Sequence, residues 1–171
     1  MTEKKPNEIF SRVLGKGSAR SARKYFIRFF LVIIFFVFLF FIPPKHNLAD
    51  IKAVKIARQT VKVDLALTKE AQEKGLSGRE GLQNDEGLLF VFEYPDNYLF
   101  WMKDMNFPID IIWLNQDRQI VYIKKDAQPL LYPETYGPQK NQPDAKYVLE
   151  VASGFSDKNN LQVGDKVEFA Y

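Results

Sequence analysis

Two acidic residues stand inside runs of the sequence that are otherwise apolar. Asp110 lies in IDIIWL (109–114), and Glu150 lies in YVLEVA (147–152). A carboxyl group among apolar side chains must be paired, hydrogen-bonded or protonated, because an isolated buried charge is energetically costly. Since such perturbed groups often mark functional sites, both positions are candidates for a polar cluster with a chemical role.

Cationic and aromatic side chains near Asp110 suggest what that cluster would do. Arg79 and Lys103 are its natural partners, because a guanidinium pairs well with a carboxylate. Trp101 lies two residues before Lys103, on the same face of a predicted strand. An aromatic ring beside a cation and a carboxylate is typical of sugar- or anion-binding surfaces. We therefore predict a ligand site made of Arg79, Trp101, Lys103, Asp110 and Glu150.

A purely structural interpretation of the same residues remains open. Asp110 and Arg79 would then form a buried ion pair that holds the strand to a helix turn. Trp101 and Trp113 would belong to the core, as aromatic residues in strands usually do. Glu150 would lie on the solvent face of a half-exposed strand.

The composition excludes several kinds of catalysis. The chain has no cysteine and one histidine, His46, so thiol nucleophiles and Ser-His-Asp chemistry have no candidates in the domain. Neither a glycine-rich phosphate loop nor a calcium-loop pattern occurs, and we predict no metal or cofactor. An enzyme would have to use carboxylates, for example Glu150 with Asp110 or Asp104, as glycosidases do.

A long apolar run near the N-terminus predicts a membrane helix. Residues 25–42 read YFIRFFLVIIFFVFLFFI, and Pro43 and Pro44 follow. At about 1.5 Å per residue this segment matches the hydrocarbon thickness of a bilayer. A cleaved signal peptide is the alternative.

The charges around this run predict its orientation. Residues 1–28 contain eight Lys and Arg and two Glu, whereas residues 43–171 contain sixteen Lys and Arg and nineteen Asp and Glu. The positive-inside rule places a basic tail, residues 1–24, in the cytoplasm, and the rest of the chain in the periplasm or outside the cell. Because the excess of positive charge belongs to the tail, we do not expect the domain to bind nucleic acid.

The remainder divides into a linker, residues 43–59, and a β domain, residues 60–171. A short helix at 69–74 is capped by Thr68 and ends at Gly75. Short alternating or apolar runs predict a mainly β fold, a compact sandwich or barrel. The runs at 98–103 and 109–114 are expected to pair with each other. The predicted strands are residues 60–67, 87–92, 98–103, 109–114, 119–124, 146–152 and 166–171.

Five stretches carry a resemblance to a known family. They are KGLSGREGL (74–82), EGLLFVF (86–92), FWMKDMNFPIDIIWL (100–114), YVLEVASG (147–154) and VGDKV (163–167). Over residues 60–171 the chain resembles the bacterial and archaeal family called domain of unknown function 192. The resemblance implies a jelly-roll-like β fold with one short helix, often behind a signal or anchor segment, and no established activity. Ser77 and the pair Asp104-Met105 depart from the Met and Asn-Thr that many members have.

Together these features predict a membrane-anchored, extracytoplasmic binding module for a small polar ligand or an envelope saccharide. One alternative is a carboxylate-dependent hydrolase of envelope glycans. Another is a scaffold that binds a second envelope protein through an exposed apolar patch.

Overall fold

The computed structural model describes residues 18–40 and 47–171. The chain divides into two compact units, residues 1–45 and 46–171. Helix α1 spans Ser18–Phe40, and the last two residues of the predicted membrane span, 25–42, lie outside the described residues. No helix within residues 18–40 and 47–171 is long and apolar enough to cross a bilayer.

Residues 47–171 form a mainly β domain, as predicted. Seven strands make one sheet in the order β6-β5-β8-β3-β2-β1-β9, and β4 and β7 form a separate pair. The strands and helices are β1 Ala53–Ile56, β2 Gln59–Ala66, α2 Lys69–Lys74, β3 Glu86–Asp96, β4 Phe100–Trp101, β5 Ile109–Leu114, β6 Ile120–Ala127, β7 Thr135–Tyr136, β8 Ala145–Ala152, α3 Phe155–Lys158 and β9 Val167–Ala170, with single 3-10 turns at Leu48–Asp50 and Pro129–Leu131.

The large sheet is so strongly curled that its two edge strands, β6 and β9, meet. Gln119, just before β6, bridges Lys166, just before β9. The amide of Gly164 also donates a hydrogen bond to the carbonyl oxygen of Ile120 at 2.8 Å. The sheet therefore closes on itself at this end, as in a barrel.

Both faces of the curled sheet are buried, which explains the continuous apolar runs of the sequence. All six residues of β5 are buried. Ile112 and Leu114 belong to one hydrophobic cluster, whereas Ile109, Ile111 and Trp113 belong to a second cluster on the opposite face. The second cluster also contains the buried Tyr136 of β7, and the partly buried Ala71 of α2 and Phe100 of β4 pack against it. A strand that is covered on both sides needs apolar side chains at successive positions.

Helix α2 forms where the sequence predicts it. The Thr68 hydroxyl accepts a hydrogen bond from the amide of Ala71 at 3.2 Å, and Gly75 ends the helix with a φ of 52°. The side-chain amide of Gln72 donates hydrogen bonds to the carbonyl oxygens of Ala66 and Val91, at 3.2 and 3.0 Å. These bonds hold the helix against β2 and β3, the two parallel strands that it connects.

Two predictions about the strands are wrong. The expected linker, residues 43–59, contains β1, which pairs with β2 and β9. β1 is only four residues long, too short for its alternation to stand out. The expected pairing of residues 98–103 with 109–114 does not occur, because β5 already has β6 and β8 as neighbours. The short β4 pairs with β7 instead.

Candidate ligand-binding pocket

A pocket of about 230 Å³ opens between α2 and β4. Its walls are mostly aromatic and aliphatic, and its charged residues are three side chains of α2 and one carboxyl group of β8. The residues that line it are Lys69, Gln72, Glu73, Lys74, Gly75, Leu76, Ser77, Phe90, Phe92, Tyr98, Leu99, Phe100, Trp101, Met105 and Glu150.

Glu150 is the polar group of the pocket that lies deepest in the protein. It is 5% exposed, and its neighbours on the adjacent strands are Leu88 and Ile111. Its Oε2 atom is buried and has no hydrogen-bond partner within residues 18–40 and 47–171. Burial raises the pKa of Glu150 to about 8, against an opposing effect of the positive charge of Arg79. The solvent-facing alternative for Glu150 is therefore wrong, and at pH 7 the group is mainly a neutral acid.

The aromatic wall consists of rings that pack against one another. Phe92 and Tyr98 stack with their centroids 3.5 Å apart and their planes at 10°. Phe90 meets Phe100 edge to face, with the centroids 4.8 Å apart. Because the rings hold one another in place, this side of the pocket is formed before any ligand arrives.

The two tryptophans have different roles. Trp113 is completely buried, and its indole N–H donates a hydrogen bond to the carbonyl oxygen of Tyr98 at 2.8 Å. This bond fixes the chain segment that carries the aromatic wall. Trp101 lines the pocket and is 51% exposed, so the core interpretation holds for Trp113 and is wrong for Trp101.

Asp110 lies on the opposite face of the sheet from Glu150. Its direct neighbour on β8 is Val151, whereas the neighbour of Glu150 is Ile111, and successive side chains of a strand point to opposite faces. The Asp110 carboxylate accepts hydrogen bonds from the backbone amides of Asp126, Gly154 and Ser156, at 2.9, 3.2 and 2.7 Å. Asp110 therefore holds the start of α3 against the end of β6 and does not line the aromatic pocket.

The two predicted cations also lie apart from that pocket. Arg79 pairs with Asp64 at 2.6 Å, so the predicted ion pair with Asp110 is wrong. Both members of the Arg79–Asp64 pair line a second pocket, of about 350 Å³, on the other side of α2. Lys103 is exposed, and its backbone carbonyl accepts a hydrogen bond from the Ser77 hydroxyl at 2.8 Å. Of the five predicted site residues, the structure brings Trp101 and Glu150 together.

The structure does not bring together the carboxyl groups that the sequence offered for an enzyme. Asp110 and Glu150 are separated by the sheet, and Asp104 is exposed and does not line the aromatic pocket. The second carboxyl group of that pocket is Glu73, on α2. Within the described residues, no group of three or more His, Cys, Asp or Glu side chains is arranged to bind a metal ion.

Most of the residues that line the pocket were not predicted from the sequence, although the spacing of some of them indicated a shared face. Phe90 and Phe92 are two residues apart in one strand, so they share a face. Gly75 gave no such signal. A Cβ atom at that position would lie 3.5 Å from the Phe90 ring and 3.9 Å from Glu150 Oε2. These are ordinary contact distances, and they place the end of α2 beside both the Phe90 ring and the buried carboxyl group.

The proline-rich loop after β6 supports the pocket from outside. Within it, Thr135 and Tyr136 pair with Trp101 and Phe100. No residue of the loop between Ala127 and Asp144 is among the pocket residues given above. The loop therefore braces one wall of the pocket from outside.

The comparisons with known proteins agree with this fold. The model of the domain of unknown function 192, described as "Uncharacterized ACR", matches residues 52–169. A crystal structure of a protein of unknown function from Novosphingobium aromaticivorans is 30% identical, with a TM-score of 0.64, and the match covers 74% of this chain and 91% of that one. A protein from Sinorhizobium meliloti, described as a candidate transcription regulator, is 28% identical, with a TM-score of 0.61, and the match covers 68% and 90%. No curated protein matches the chain.

The family match begins just before β1 and ends within β9, so it includes every strand of the closed sheet apart from the last residue of β9. It also contains every residue that lines the aromatic pocket. The resemblance that the sequence motifs indicate is therefore confirmed, and the chain belongs to the domain of unknown function 192 family.

Proposed function

We propose that the β domain is a binding module that holds one small molecule in the aromatic pocket, with Glu150 as its main polar contact. The observation that carries the proposal is the Glu150 carboxyl group, which lines the pocket and whose buried Oε2 atom has no hydrogen-bond partner among the described residues. Buried polar atoms in proteins are nearly always satisfied. A ligand that hydrogen-bonds to this atom would remove the cost of leaving it unpaired.

A small polar molecule or an envelope saccharide suits the rest of the pocket. The face of a sugar ring is apolar and packs well on aromatic side chains, and its hydroxyl groups form hydrogen bonds. Trp101 presents such a face at the entrance, because half of its surface is exposed. Tyr98 and Phe92 extend the aromatic wall inward.

The proposed location follows from the sequence. A single membrane helix over residues 25–42, with the basic tail in the cytoplasm, would place the domain on the outer side of the inner or plasma membrane. There the pocket would meet ligands of the cell envelope.

A hydrolase of envelope glycans is the second candidate, and the pocket itself favours it over other enzymes. Glu150 is an acid whose pKa is raised to about 8, which suits a general acid. Glu73 lines the same pocket and would have to serve as the base or nucleophile. Release of reducing sugar from cell-wall glycan that disappears in both Glu150→Gln and Glu73→Gln would favour the enzyme.

A scaffold without a ligand has one observation in its favour. The 3-10 turn Pro129–Leu131 exposes Leu130 almost completely, at 93%. Leu131 and Tyr132, which follow it, are about half exposed. A partner protein would cover this turn and leave the aromatic pocket open.

A thermal-shift screen tests the binding module. The full chain would be screened against monosaccharides, cell-wall fragments and small uncharged metabolites. A ligand that binds the native state raises the melting temperature. We expect hits that disappear in Trp101→Ala and in Glu150→Leu, and that persist in the matched surface variant Leu130→Ala. Hits that survive both pocket variants would refute the assignment of the site.

A further inference from the structure

The geometry points to a specific ligand class: we infer that the pocket binds an uncharged ring compound which accepts a hydrogen bond from the Glu150 carboxyl group. This inference rests on the proposed function, since it names the ligand of the same pocket. It follows from what surrounds Glu150, from the positions of the charged side chains and from the size of the cavity.

The surroundings of Glu150 favour its neutral form. Leu88 and Ile111 are its cross-strand neighbours, and the Phe90 ring lies beside it across Gly75. Ionisation in this setting is costly, in line with a pKa of about 8. A neutral carboxyl group has one O–H to donate. Its best partner is therefore an oxygen or nitrogen acceptor on the ligand.

The charged residues of the pocket disfavour ionic ligands. Lys69, Glu73 and Lys74 all belong to α2, and Lys69 lies 4.0 Å from Glu73 in an exposed ion pair. Away from α2, Glu150 is the one ionisable lining residue apart from the Tyr98 phenol. Arg79, whose positive charge acts on the pKa of Glu150, does not line the pocket and is paired with Asp64. An anion at the depth of Glu150 would therefore contact no lining cation outside α2. A cation there would require Glu150 to ionise, while the lysines of α2 would repel its approach.

The volume limits the ligand to about one ring. A cavity of about 230 Å³ lies below the range of about 300–1,000 Å³ that is usual for drug-sized ligands. A flat ring with an amide or lactam carbonyl and a pyranose ring with hydroxyl groups both fit this description. They share one chemistry, an uncharged ring with an acceptor atom, and the experiment must distinguish them.

Four probes of similar size test the inference at pH 7. Benzamide is a neutral flat ring with an acceptor, benzamidinium and benzoate are its charged counterparts, and methyl β-D-glucopyranoside represents saccharides. Dissociation constants would be measured by NMR titration of the full chain in a polyoxyethylene detergent, which contains neither amine nor sugar. We expect at least one neutral probe to bind about tenfold or more tightly than both charged probes.

Two variants assign the effect to Glu150. In Glu150→Gln the side-chain amide still donates a hydrogen bond, so affinity for the neutral probe should stay within about threefold. In Glu150→Leu it should fall about tenfold or more, because the donor is lost. Circular dichroism would confirm that both variants are folded. The tighter of the two neutral probes identifies the flat or the saccharide class.

Other outcomes would overturn the inference in distinguishable ways. Tighter binding of benzamidinium than of benzamide, lost in Glu150→Gln, would show that the ligand is a cation and Glu150 its counterion. Unchanged affinity in Glu150→Leu would show that the carboxyl group makes no contact. Both results leave a binding module in place. Failure of all four probes to bind, with no hit in the thermal-shift screen, would refute the proposed function itself.

Discussion

Asp110 and Glu150 lie on neighbouring strands and are both buried, yet their oxygen atoms meet different partners. Asp110 accepts three backbone hydrogen bonds on one face of the sheet. On the other face, Glu150 has a buried oxygen that finds no hydrogen-bond partner in the described part of the chain. A carboxylate whose oxygens are satisfied stabilises the segment that it binds, whereas a buried carboxyl group with an unpaired oxygen costs stability and can form a hydrogen bond with a ligand.

The sequence predicts that both acids need partners but not which partners they find. Two of the three amides that bind Asp110, those of Gly154 and Ser156, are 44 and 46 residues away along the chain. They lie at the start of α3, whose position depends on the finished sheet. For Glu150, the residue pattern of YVLEVA is compatible with a side chain that faces solvent and with one that is buried. Whether Glu150 is buried or exposed depends on α2 and β4, which cover that face of the sheet. The segment YVLEVA contains no information about these two elements.

Asp110→Asn should destabilise the domain by about 3 kcal/mol. The amide nitrogen of asparagine would face at least one backbone N–H, so a donor would meet a donor. Urea unfolding of the full chain measures the change. Asp126→Asn is the matched control, because Asp126 is exposed and we expect a much smaller effect. Equal stability of Asp110→Asn and the native chain would contradict the structural role.

Glu150→Gln should remove a specific dependence of stability on pH. The pKa of Glu150 rises from 4.5 to about 8 on folding, so the folded state keeps a proton that the unfolded chain loses between these values. The native protein should therefore lose stability as the pH rises from 4.5 to 8, by roughly 5 kcal/mol in total. Below pH 4.5 both states are protonated, and the effect vanishes.

Urea unfolding at pH 5, 6.5 and 8 measures this slope. The unfolding free energy of Glu150→Gln, relative to the native chain, should increase steadily over this range. Glu73→Gln, which changes an exposed carboxyl group of the same pocket, should leave the slope intact. Parallel slopes for the native chain and Glu150→Gln would show that Glu150 is ionised in the folded protein.

Among the elements, those with a strong local pattern are the ones that the sequence predicts well. β5 coincides with IDIIWL, and α2 coincides with the capped segment 69–74. The elements that it misses are short, such as β1, or depend on distant partners, such as the β4–β7 pair. β4 and β7 have two residues each, which is too few for a periodic signal.

Because β3 is closely packed between β2 and β8, adding a single methyl group at Gly87 should destabilise the domain. A Cβ atom at Gly87 would lie 2.8 Å from the carbonyl oxygen of Glu150 on β8 and 3.1 Å from Val61 on β2. Gly87→Ala should therefore force the strands apart and cost about 1–3 kcal/mol.

Chemical denaturation compares Gly87→Ala with Gly81→Ala. A Cβ atom at Gly81 would meet nothing within 4 Å, so this control should change the unfolding free energy by less than about 0.5 kcal/mol. Equal effects of the two substitutions would mean that β3 is not packed as closely as the structure places it.

At the scale of the whole molecule, the proposed membrane orientation can be tested by cysteine labelling. Because the protein has no cysteine, single cysteines can be introduced at chosen positions and labelled with a membrane-impermeant maleimide. We expect Lys140→Cys to be labelled in intact spheroplasts, and Ser18→Cys to be labelled after lysis. The reverse labelling pattern would contradict the proposed orientation. So would recovery of the protein in the soluble fraction with neither cysteine labelled.

The meeting of β6 and β9 affects how the domain behaves beside copies of itself. Free edge strands are the usual templates on which proteins aggregate or exchange strands. Here the chain near Gln119 and Lys166 uses the edges of the sheet to pair with itself. At high concentration, another copy of the domain therefore has fewer unpaired N–H and C=O groups with which to pair. The closure of the sheet thus disfavours edge-to-edge polymerisation.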